Sequence, residues 1–359
     1  MKVLALTRYS RSGASSRLRF LQYLPYLKSA EIQVEIFPLF SDSYVSNLQS
    51  GYRSTTEVIS AYLKRIKSLR LASEFDLLWI EKDTLPWLPA QFELGFANGN
   101  TPMAIDYDDA VFHSYDQHRS YFIRKLLKDK HPELMRRSSL VIAGNEYLEK
   151  FARQAGAKRV EIVPTVVDIN RYPPRIVNSQ NTSELPLVGW IGQRATASFL
   201  LPLVSVFQQM VAKREARFAA IGIDTEAFEL PMQSISWSEE TEVESLSSFD
   251  IGIMPLVDEP FERGKCGYKL IQYMACGIPV VASPVGVNNQ IVDHGVNGFL
   301  VDSPEEWLSA LRTLASDVKL RMRMGQAGRL KVAQHYCLQR TESKVVNLLM
   351  CAAGFKNNR

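Results

Sequence analysis

Short apolar runs rich in β-branched residues alternate with segments of helical periodicity along almost the whole chain. This alternation constrains the fold, because strands separated by helices form a parallel sheet whose two faces the helices cover. The first half has such runs at residues 3–7, 34–37, 75–80, 103–105, 140–143 and 160–163, and predicted helices between them at 17–28, 58–71, 121–134 and 146–154. The second half has them at residues 187–191, 218–221, 251–255, 279–282 and 298–301. We therefore predict an α/β protein.

A polar stretch at residues 176–184 interrupts the alternation after two consecutive prolines, and its composition is typical of a linker. We therefore predict two doubly wound, Rossmann-like domains, at residues 1–170 and 171–337. An apolar-periodic helix within residues 338–359 has no strand after it, and we expect it to pack back on the first domain. In open parallel sheets, ligands bind at the carboxyl ends of the strands, so we expect a small-molecule site in a cleft between the two domains.

The composition is that of a water-soluble globular protein. The chain has 359 residues, 22% of them charged and 46% hydrophobic, which excludes a disordered protein and a coiled coil. No apolar run reaches the roughly 18–20 residues of a membrane-spanning helix. Residues 3–6 are too short for the core of a signal peptide, and Arg8 and Arg11 follow them. We therefore expect a cytoplasmic protein.

The cysteines and histidines do not suggest a metal centre. The four cysteines include no CxxC pair and the five histidines are scattered, so neither a structural zinc site nor a disulfide framework is expected.

The net charge of +4 is concentrated in the first half of the chain. Residues 1–170 carry 23 Lys and Arg against 19 Asp and Glu, whereas residues 171–359 carry 19 of each. The excess is densest within 118–137, where basic and apolar residues interleave. Two interpretations stay open: a helix with a solvated basic face, or a surface for an anionic membrane. We expect no nucleic-acid partner, because no recognised nucleic-acid motif is present.

Residues 249–288 predict an anion-binding site. A buried strand ends at Pro255, a loop containing Gly264 and Gly267 follows, and a helix then runs from Tyr268 to Gly277. A glycine-rich loop that enters a helix leaves backbone N–H groups directed at a ligand. The loop and the first turn of the helix also carry positive charge, from Lys265 and Lys269.

Four segments then suggest a family. Residues 274–283 read MACGIPVVAS, residues 286–301 read GVNNQIVDHGVNGFLV, residues 162–168 read IVPTVVD, and residues 188–200 read VGWIGQRATASFL. In order and spacing they resemble the glycosyl transferases group 1 family, the large retaining family four of the GT-B fold. The resemblance implies two Rossmann-like domains facing each other across a cleft, the first holding the acceptor and the second the nucleotide. It also implies sugar transfer from a nucleotide-diphosphate sugar to an acceptor hydroxyl, with retention of configuration and without a metal or other cofactor.

The same resemblance assigns donor-binding candidates, with departures from the family pattern. Gln272 stands where the family has the second Glu of its E-x7-E motif, which binds the donor ribose, and Gly264 stands where it has the first. Glu262 lies close by and is a candidate substitute. Arg194 matches the arginine on the donor diphosphate, but Phe199 replaces the lysine five residues later, so Lys265 or Lys269 must supply that charge. The predicted donor-binding residues are Gly13, Gly192, Arg194, Lys265, Gly267, Tyr268, Lys269 and Gln272.

The predicted catalytic residues come from an acidic stretch after the run at 103–105. Asp108, Asp109 and His113 follow this strand and should lie at its carboxyl end, where one carboxylate orients sugar or acceptor hydroxyls and another caps the next helix. Asp106 and Asp108 form a DxD triplet, but such triplets are frequent by chance and no metal is expected. Core packing is the alternative role of His113.

Three functions remain open from the sequence. The first is a retaining glycosyltransferase in cell-surface polysaccharide or glycolipid assembly, peripheral on the inner face of the membrane, with a glycan or lipid-linked acceptor. The second is a catalytically silent GT-B subunit that binds a partner enzyme, because both motif glutamates are absent. The third is a GT-B sugar-nucleotide epimerase, which the acidic stretch would serve as an acid/base pair.

Overall fold

A computed structural model describes residues 1–49, 54–96, 101–173 and 185–355. The predicted linker at 176–184 lies outside the described residues. The nearest described residues are 173 before it and 185 after it.

The first sheet has six parallel strands in the order β2-β1-β3-β4-β5-β6. Its strands are β1 (Lys2–Leu6), β2 (Gln33–Ile36), β3 (Leu77–Glu81), β4 (Met103–Tyr107), β5 (Leu140–Ala143) and β6 (Val160–Ile162). Strands β3 and β5 are buried along their whole length, as expected for a sheet covered on both faces. The strand order reverses between β1 and β3, so the ligand-binding edge of this sheet is expected where these two strands end.

The second sheet also has six parallel strands, in the order β12-β11-β10-β7-β8-β9. Its strands are β7 (Leu187–Ile191), β8 (Arg217–Ile221), β9 (Gln233–Ile235), β10 (Ile251–Met254), β11 (Val280–Ala282) and β12 (Gly298–Leu300). Here the order reverses between β7 and β10. The ligand-binding edge is therefore expected at the ends of these two strands.

Helices connect the strands in both halves. In the first half they are α1 (Ala14–Arg19), α2 (Leu24–Ser29), α3 (Asp42–Gln49), α4 (Thr55–Arg70), α5 (Ala90–Phe96), α6 (His113–Asp116), α7 (Tyr121–Leu127), α8 (Lys130–Arg137) and α9 (Glu146–Gln154). In the second half they are α10 (Val204–Ala212), α11 (Glu242–Ser247), α12 (Pro260–Arg263), α13 (Tyr268–Ala275), α14 (Asn288–Ile291), α15 (Pro304–Ser316), α16 (Val318–His335) and α17 (Leu338–Ala352). Short 3₁₀ helices occupy Leu21–Tyr23, Ala72–Glu74, Ile169–Arg171, Arg194–Leu203 and Glu226–Phe228.

The chain divides into two compact units that are not contiguous in sequence. Unit 1 comprises Met1–Thr165, Arg263–Cys266 and Thr341–Arg359, and unit 2 comprises Val166–Glu262 and Gly267–Arg340. Most of α17 therefore packs within unit 1. Its Thr341 Oγ1 lies 3.0 Å from the Tyr23 hydroxyl oxygen, and Lys344 Nζ donates to the carbonyl of Ile162 at 2.8 Å.

All eleven predicted apolar runs form strands, but the structure adds β9 and divides two predicted helices. Residues 17–28 do not form one helix, because the 3₁₀ turn Leu21–Tyr23 separates α1 from α2 and Pro25 lies at the start of α2. Residues 121–134 also divide, into α7 and α8. Pro132 lies in the first turn of α8, where its missing N–H is tolerated. In the interior of one continuous helix from α7 the same proline would break the helix.

One helical run among the described residues, Arg194–Ala212, is long and apolar enough to meet a membrane-span criterion. It combines a 3₁₀ segment with α10, and its apolar side packs into the core of unit 2 through Leu200, Leu203, Phe207 and Met210. We interpret it as a core helix of a parallel-sheet domain, because such helices satisfy the same criterion.

Candidate functional site

In unit 2 a glycine fixes the start of the helix that follows β10. Gly267 caps α13 with φ +63°, in the left-handed region that favours glycine. A Cβ atom there would lie 2.4 Å from Cδ1 of Ile291 and 3.2 Å from Cγ1 of Val287, so no other residue fits without movement. The first turn of α13 has backbone N–H groups with no acceptor inside the helix, which is the geometry of an anion site.

Lys269 connects this helix to the end of β7. Its Nζ lies 4.1 Å from the centre of the Trp190 ring, and it would lie 2.7 Å from a Cβ atom added to Gly192. The structure therefore brings Gly192, Gly267 and Lys269 to the edge of the second sheet where the strand order reverses. Since Trp190 is buried, its ring holds the ammonium group in place by a cation–π contact.

Arg194 lies two residues beyond Gly192, at the first position of a 3₁₀ helix. The residue is exposed, and its guanidinium carbon lies 5.6 Å from the centre of the Phe228 ring. From this position an exposed guanidinium can reach an anionic ligand at the end of β7. The position is therefore compatible with the predicted diphosphate contact, which stays a prediction.

Gln272 is buried inside unit 2, with 2% of its surface exposed. Its Nε2 lies 3.3 Å from the hydroxyl oxygen of Tyr172, to which it donates. Tyr172 is also hydrogen-bonded to Tyr268, and burial raises the Tyr172 pKa. Gln272 therefore already has a protein partner, which fits a packing role better than the ribose contact predicted for it, and that contact stays untested.

Lys265 belongs to a short segment that packs in unit 1, whereas Lys269 belongs to unit 2. The Nδ2 of Asn145 donates to the carbonyls of Gly264 at 2.9 Å and Lys265 at 3.0 Å, which anchors the segment beside β5. A Cβ atom on Gly264 would lie 2.4 Å from Cβ of Ala110. The position that carries the first glutamate in the family thus has no room for a side chain here, and Glu262 lies half-buried two residues earlier.

In unit 1 the loop after β1 is closely packed. Gly13 precedes α1, and a Cβ atom there would lie 2.4 Å from Cβ of Tyr9. The next helical residues bring hydroxyls to the sheet edge: Ser16 Oγ donates to Glu81 Oε2 at 2.6 Å. Gly13 is therefore needed for close packing of this turn, and its predicted donor contact stays a prediction.

Asp108 follows β4 and pairs with a lysine that the sequence reasoning did not select. Lys82 Nζ lies 2.8 Å from Oδ1 of Asp108, and this positive charge, with a hydrogen bond from Ser15, lowers the pKa of the Asp108 carboxyl against the opposing effect of burial. The neighbouring Asp109 is half-buried and contributes to raising the Lys82 pKa. Asp108 is therefore held as a carboxylate, able to accept hydrogen bonds from hydroxyl groups.

His113 is engaged by the protein through both ring nitrogens. Its Nδ1 lies 3.0 Å from Oδ1 of Asp116, and its Nε2 lies 2.8 Å from the Tyr147 hydroxyl oxygen. Its ring also contacts Phe112, which stacks on Phe151 at a centroid distance of 3.5 Å. This arrangement fits the packing role of His113 better than the catalytic one, which stays untested.

The two carboxylates of the DxD triplet pair with cations of the protein. Asp106 Oδ1 lies 2.7 Å from Nε of Arg19, and Asp108 pairs with Lys82. Within the described ranges, no group of three or more His, Cys, Asp or Glu side chains is arranged to hold a metal ion.

Sequence reasoning also missed a buried ion-pair network at the end of β3. Asp83 pairs with Arg8 and, at 2.8 Å, with Lys130, whose Nζ lies 2.7 Å from Oε1 of Glu93. Lys130 lies within the basic stretch 118–137 but is only 2% exposed, so it is not part of a solvated or membrane-facing surface. A signal was present in the sequence, since Glu81, Lys82 and Asp83 are three consecutive charged residues at the end of an otherwise apolar strand.

Comparison with known proteins agrees with this fold. Residues 186–317 match the family model described as Glycosyl transferases group 1, which confirms the family resemblance over that region. A D-inositol 3-phosphate glycosyltransferase of Paenarthrobacter aurescens (strain TC1) is 38% identical over 81 residues, which are 22% of this chain. The matched segment spans only 19% of that relative's length.

Solved structures match almost the whole chain. HepE of Anabaena, in complex with UDP-glucose, has a TM-score of 0.71 at 17% identity, covering 98% of this chain and 100% of that one. WaaG, a glycosyltransferase involved in lipopolysaccharide biosynthesis, has a TM-score of 0.69 at 12% identity, covering 97% and 99%. The predicted α/β class and GT-B fold are therefore confirmed.

Proposed function

We propose that this protein is a glycosyltransferase that moves a sugar from a nucleotide-diphosphate sugar to an acceptor hydroxyl. The observation that carries the proposal is the juxtaposition of Gly192, Lys269 and the Gly267-capped start of α13 at the ligand-binding edge of the second sheet. A diphosphate withdrawn from water needs cations and N–H donors around it, because its buried charge is otherwise very costly. This edge offers both.

The comparisons support the donor class. The family match over residues 186–317 contains the whole of this edge, from Gly192 to Lys269. HepE, which shares the fold, was solved with UDP-glucose, and UDP-sugars are therefore the first donors to test.

Within this proposal the reaction retains the anomeric configuration and needs no metal, as the family resemblance implies. Lys269, Arg194 and the amides of α13 would stabilise the leaving diphosphate by fixed positive charge and hydrogen bonds. Among the residues of unit 1, Asp108 is the preferred candidate for contact with a sugar hydroxyl, because His113 has both ring nitrogens engaged.

Donor binding is tested by thermal shift with UDP-, GDP-, dTDP- and CMP-sugars, followed by calorimetry. A donor at 100 times its Kd should stabilise the protein by about 2.7 kcal/mol. Lys269→Met should weaken binding by roughly tenfold or more, since hydrogen bonds to charged groups contribute about 1.5–3 kcal/mol. The matched control is Lys213→Met, which removes an exposed lysine after α10 and should leave binding unchanged.

Product analysis separates the alternatives. Release of the nucleoside diphosphate with transfer or hydrolysis supports a transferase, and conversion of the donor to an epimer supports the epimerase. Failure of every donor to bind would leave the silent subunit as the better interpretation.

We further propose that the acceptor is lipid-linked and that the protein is peripheral on the inner, anionic face of the membrane. On α7 the residues Tyr121, Phe122 and Leu126 are 62%, 80% and 64% exposed, which is unusual for large apolar side chains on one short helix. Three exposed cations accompany them: Arg119, Lys125 and Lys128. We name these six residues the α7 surface.

Trp87 adds an aromatic side chain close to this surface. It is 50% exposed, and its ring lies 5.9 Å from that of His118, just before α7. Tryptophan favours the interface between headgroups and hydrocarbon, and each nearby Lys or Arg adds about 1 kcal/mol of attraction to anionic lipid. The α7 surface therefore has the chemistry of an anionic bilayer contact.

Vesicle co-sedimentation tests this part of the proposal. Binding should require phosphatidylglycerol over phosphatidylcholine, weaken in high salt, and fall in Phe122→Ser and Lys125→Glu. Leu63→Ser and Lys67→Glu, at exposed positions of α4, are the matched controls. Binding that ignores lipid charge, or no binding, would favour a soluble acceptor.

A further inference from the structure

The reversal of strand order between β1 and β3 places three loops of unit 1 at one edge of its sheet. They are the turn into α1, the charged triplet after β3 and the acidic stretch after β4. In open α/β sheets this is where ligands bind. The family match begins only at residue 186, so it assigns nothing in this edge.

Lys82, in the middle loop, has an unusual backbone conformation. Its φ is +64°, in the left-handed region that a glycine adopts without steric cost but a lysine does not. Its two neighbours are fixed by buried contacts: Glu81 Oε2 accepts from Ser16 Oγ and the Arg8 amide, and Asp83 pairs with Lys130. The buried contacts of Glu81 and Asp83 therefore hold the backbone of Lys82 in its strained conformation, and strain maintained in this way is common at functional sites.

The side chain of Lys82 joins the three loops. Its Nζ lies 2.8 Å from Oδ1 of Asp108 after β4 and 3.2 Å from Oγ of Ser15 in the first turn of α1. The side chains of Lys82 and Asp108 are 10% and 13% exposed, whereas those of Glu81 and Asp83 are 1% and 0% exposed. The Lys82–Asp108 pair is thus more accessible to solvent, and hence to a ligand, than the two carboxylates that flank Lys82 in sequence.

We propose that Lys82 is a positioning residue that holds Asp108, beside Ser15, as the hydrogen-bond acceptor for a sugar hydroxyl bound at this edge of unit 1. The inference rests on the proposed glycosyl transfer and names the group in unit 1 that orients the sugar. A carboxylate pinned by an ammonium and a serine hydroxyl keeps lone pairs for a further donor, and a sugar hydroxyl is such a donor. The strained backbone fixes where that carboxylate lies.

The charged surroundings define the expected pH dependence. Asp108 interacts with Lys82 after β3, Arg19 from α1, Asp106 from its own strand and Cys266 from the segment anchored beside β5. Glu81 and Asp109 act on Lys82. Lys82 is the largest of the influences that keep Asp108 ionised. Removing its charge should therefore raise the Asp108 pKa and move the acidic limb of the rate profile to higher pH.

The test measures hydrolysis or transfer of whichever UDP-, GDP-, dTDP- or CMP-sugar stabilises the wild type most. Lys82→Met should lower kcat at least tenfold while the donor Kd stays within twofold, and should move the acidic limb of the kcat profile upward. Lys82→Arg, which keeps the charge, should return the limb towards its wild-type position. Asp108→Asn should lower kcat similarly, and the double variant Lys82→Met/Asp108→Asn should lose no more than either single one.

A matched control separates this role from relief of strain. Glu31 also has a left-handed backbone, at φ +57°, and is exposed. Glu31→Gly should leave kcat unchanged, whereas Lys82→Gly should lower it although both substitutions relieve the same kind of strain. The double variant contains no unpaired carboxylate at position 108, so it remains measurable if Lys82→Met does not fold.

Three outcomes overturn the inference while the proposed function stands: wild-type kcat in Lys82→Met, a lower kcat with an unmoved acidic limb, or additive losses in the double variant. A wild type that binds no donor overturns the proposed function itself, before any Lys82 variant is compared.

Discussion

The guanidinium Nε of Arg19 lies 2.7 Å from Oδ1 of Asp106, and the two side chains are only 2% and 3% exposed. The same guanidinium donates through Nη1 to the carbonyl of Val163 at 2.8 Å. Arg19 therefore ties α1 to β4 and to the chain that leaves β6, beneath the loops that carry Asp108.

Removing Arg19 should destabilise the protein strongly. Arg19→Leu leaves the buried Asp106 carboxylate unpaired and should lower the free energy of unfolding by about 3–5 kcal/mol in urea titration. Arg153→Leu breaks an exposed pair with Glu149 and should cost about 1 kcal/mol or less. The double variant Arg19→Leu/Asp106→Leu should regain much of the loss, and a double variant less stable than Arg19→Leu would contradict this account.

The stability of the protein should fall between pH 7 and pH 5 because of His131. Burial lowers the pKa of His131 to about 3, and its Nδ1 lies 2.9 Å from the Tyr107 hydroxyl oxygen. Since the unfolded histidine titrates near 6.5, its stabilising effect is present above that pH and is lost as pH falls towards 3. The loss by pH 5 should reach about 2 kcal/mol.

His131→Asn tests this by urea unfolding at both pH values. The asparagine can still accept from Tyr107 but cannot titrate, so the difference between pH 7 and pH 5 should shrink by about the same 2 kcal/mol. His335→Asn, at an exposed position, should leave that difference unchanged. An undiminished pH effect in His131→Asn would assign it to other groups.

Gly267→Ala should cost more stability than Gly295→Ala. Both glycines have left-handed backbones, at φ +63° and +78°, and an alanine there costs roughly 1–2 kcal/mol. At Gly295 an added Cβ atom has no atom within 4 Å. At Gly267 the added Cβ atom would collide with Ile291, and this overpacking should cost about 1–3 kcal/mol more, as an extra methyl group in a packed core does. Chemical denaturation of the two variants measures the difference, and equal losses would mean that α14 yields freely.

Gln272 should affect stability more than donor binding. Gln272→Leu removes the hydrogen bond that Gln272 donates to the Tyr172 hydroxyl, and should lower the free energy of unfolding by about 1 kcal/mol. Its donor affinity, by calorimetry, should remain within about twofold of wild type, as expected for a buried side chain with a partner in the protein. Weaker binding of the nucleotide sugar with unchanged stability would instead indicate that Gln272 contacts the ribose.

Strands were easier to predict from the sequence than helices or charges. Runs such as 77–80, at the start of β3, are apolar throughout, because both faces of a parallel sheet are covered. The edge strand Gln233–Ile235 was missed since two of its three residues are polar and mostly exposed. The division between α7 and α8 depends on where Pro132 falls in the helical turn, which periodicity alone does not reveal.

The candidate site was predictable where motifs lie close together in sequence and not where the fold joins distant positions. Gly267 and Lys269 follow from a loop-helix pattern, and the structure brings Gly192 to the same edge. The contact between Lys82 and Asp108 joins two separate strands, so it needs the register of β3 against β4. The burial of Lys130 could not be predicted, because its ion-pair partners Asp83 and Glu93 are far from it in sequence.

The discontinuity of unit 1 also bears on how the chain folds during synthesis. Domains generally fold as the ribosome releases them, from the N-terminus onward. Here the packing around Tyr23 is incomplete until Thr341 has been made, which is after the whole of unit 2. Unit 1 is begun first and completed last, because Val345, Leu348 and Leu349, which are buried in the finished protein, are made only after the whole of unit 2.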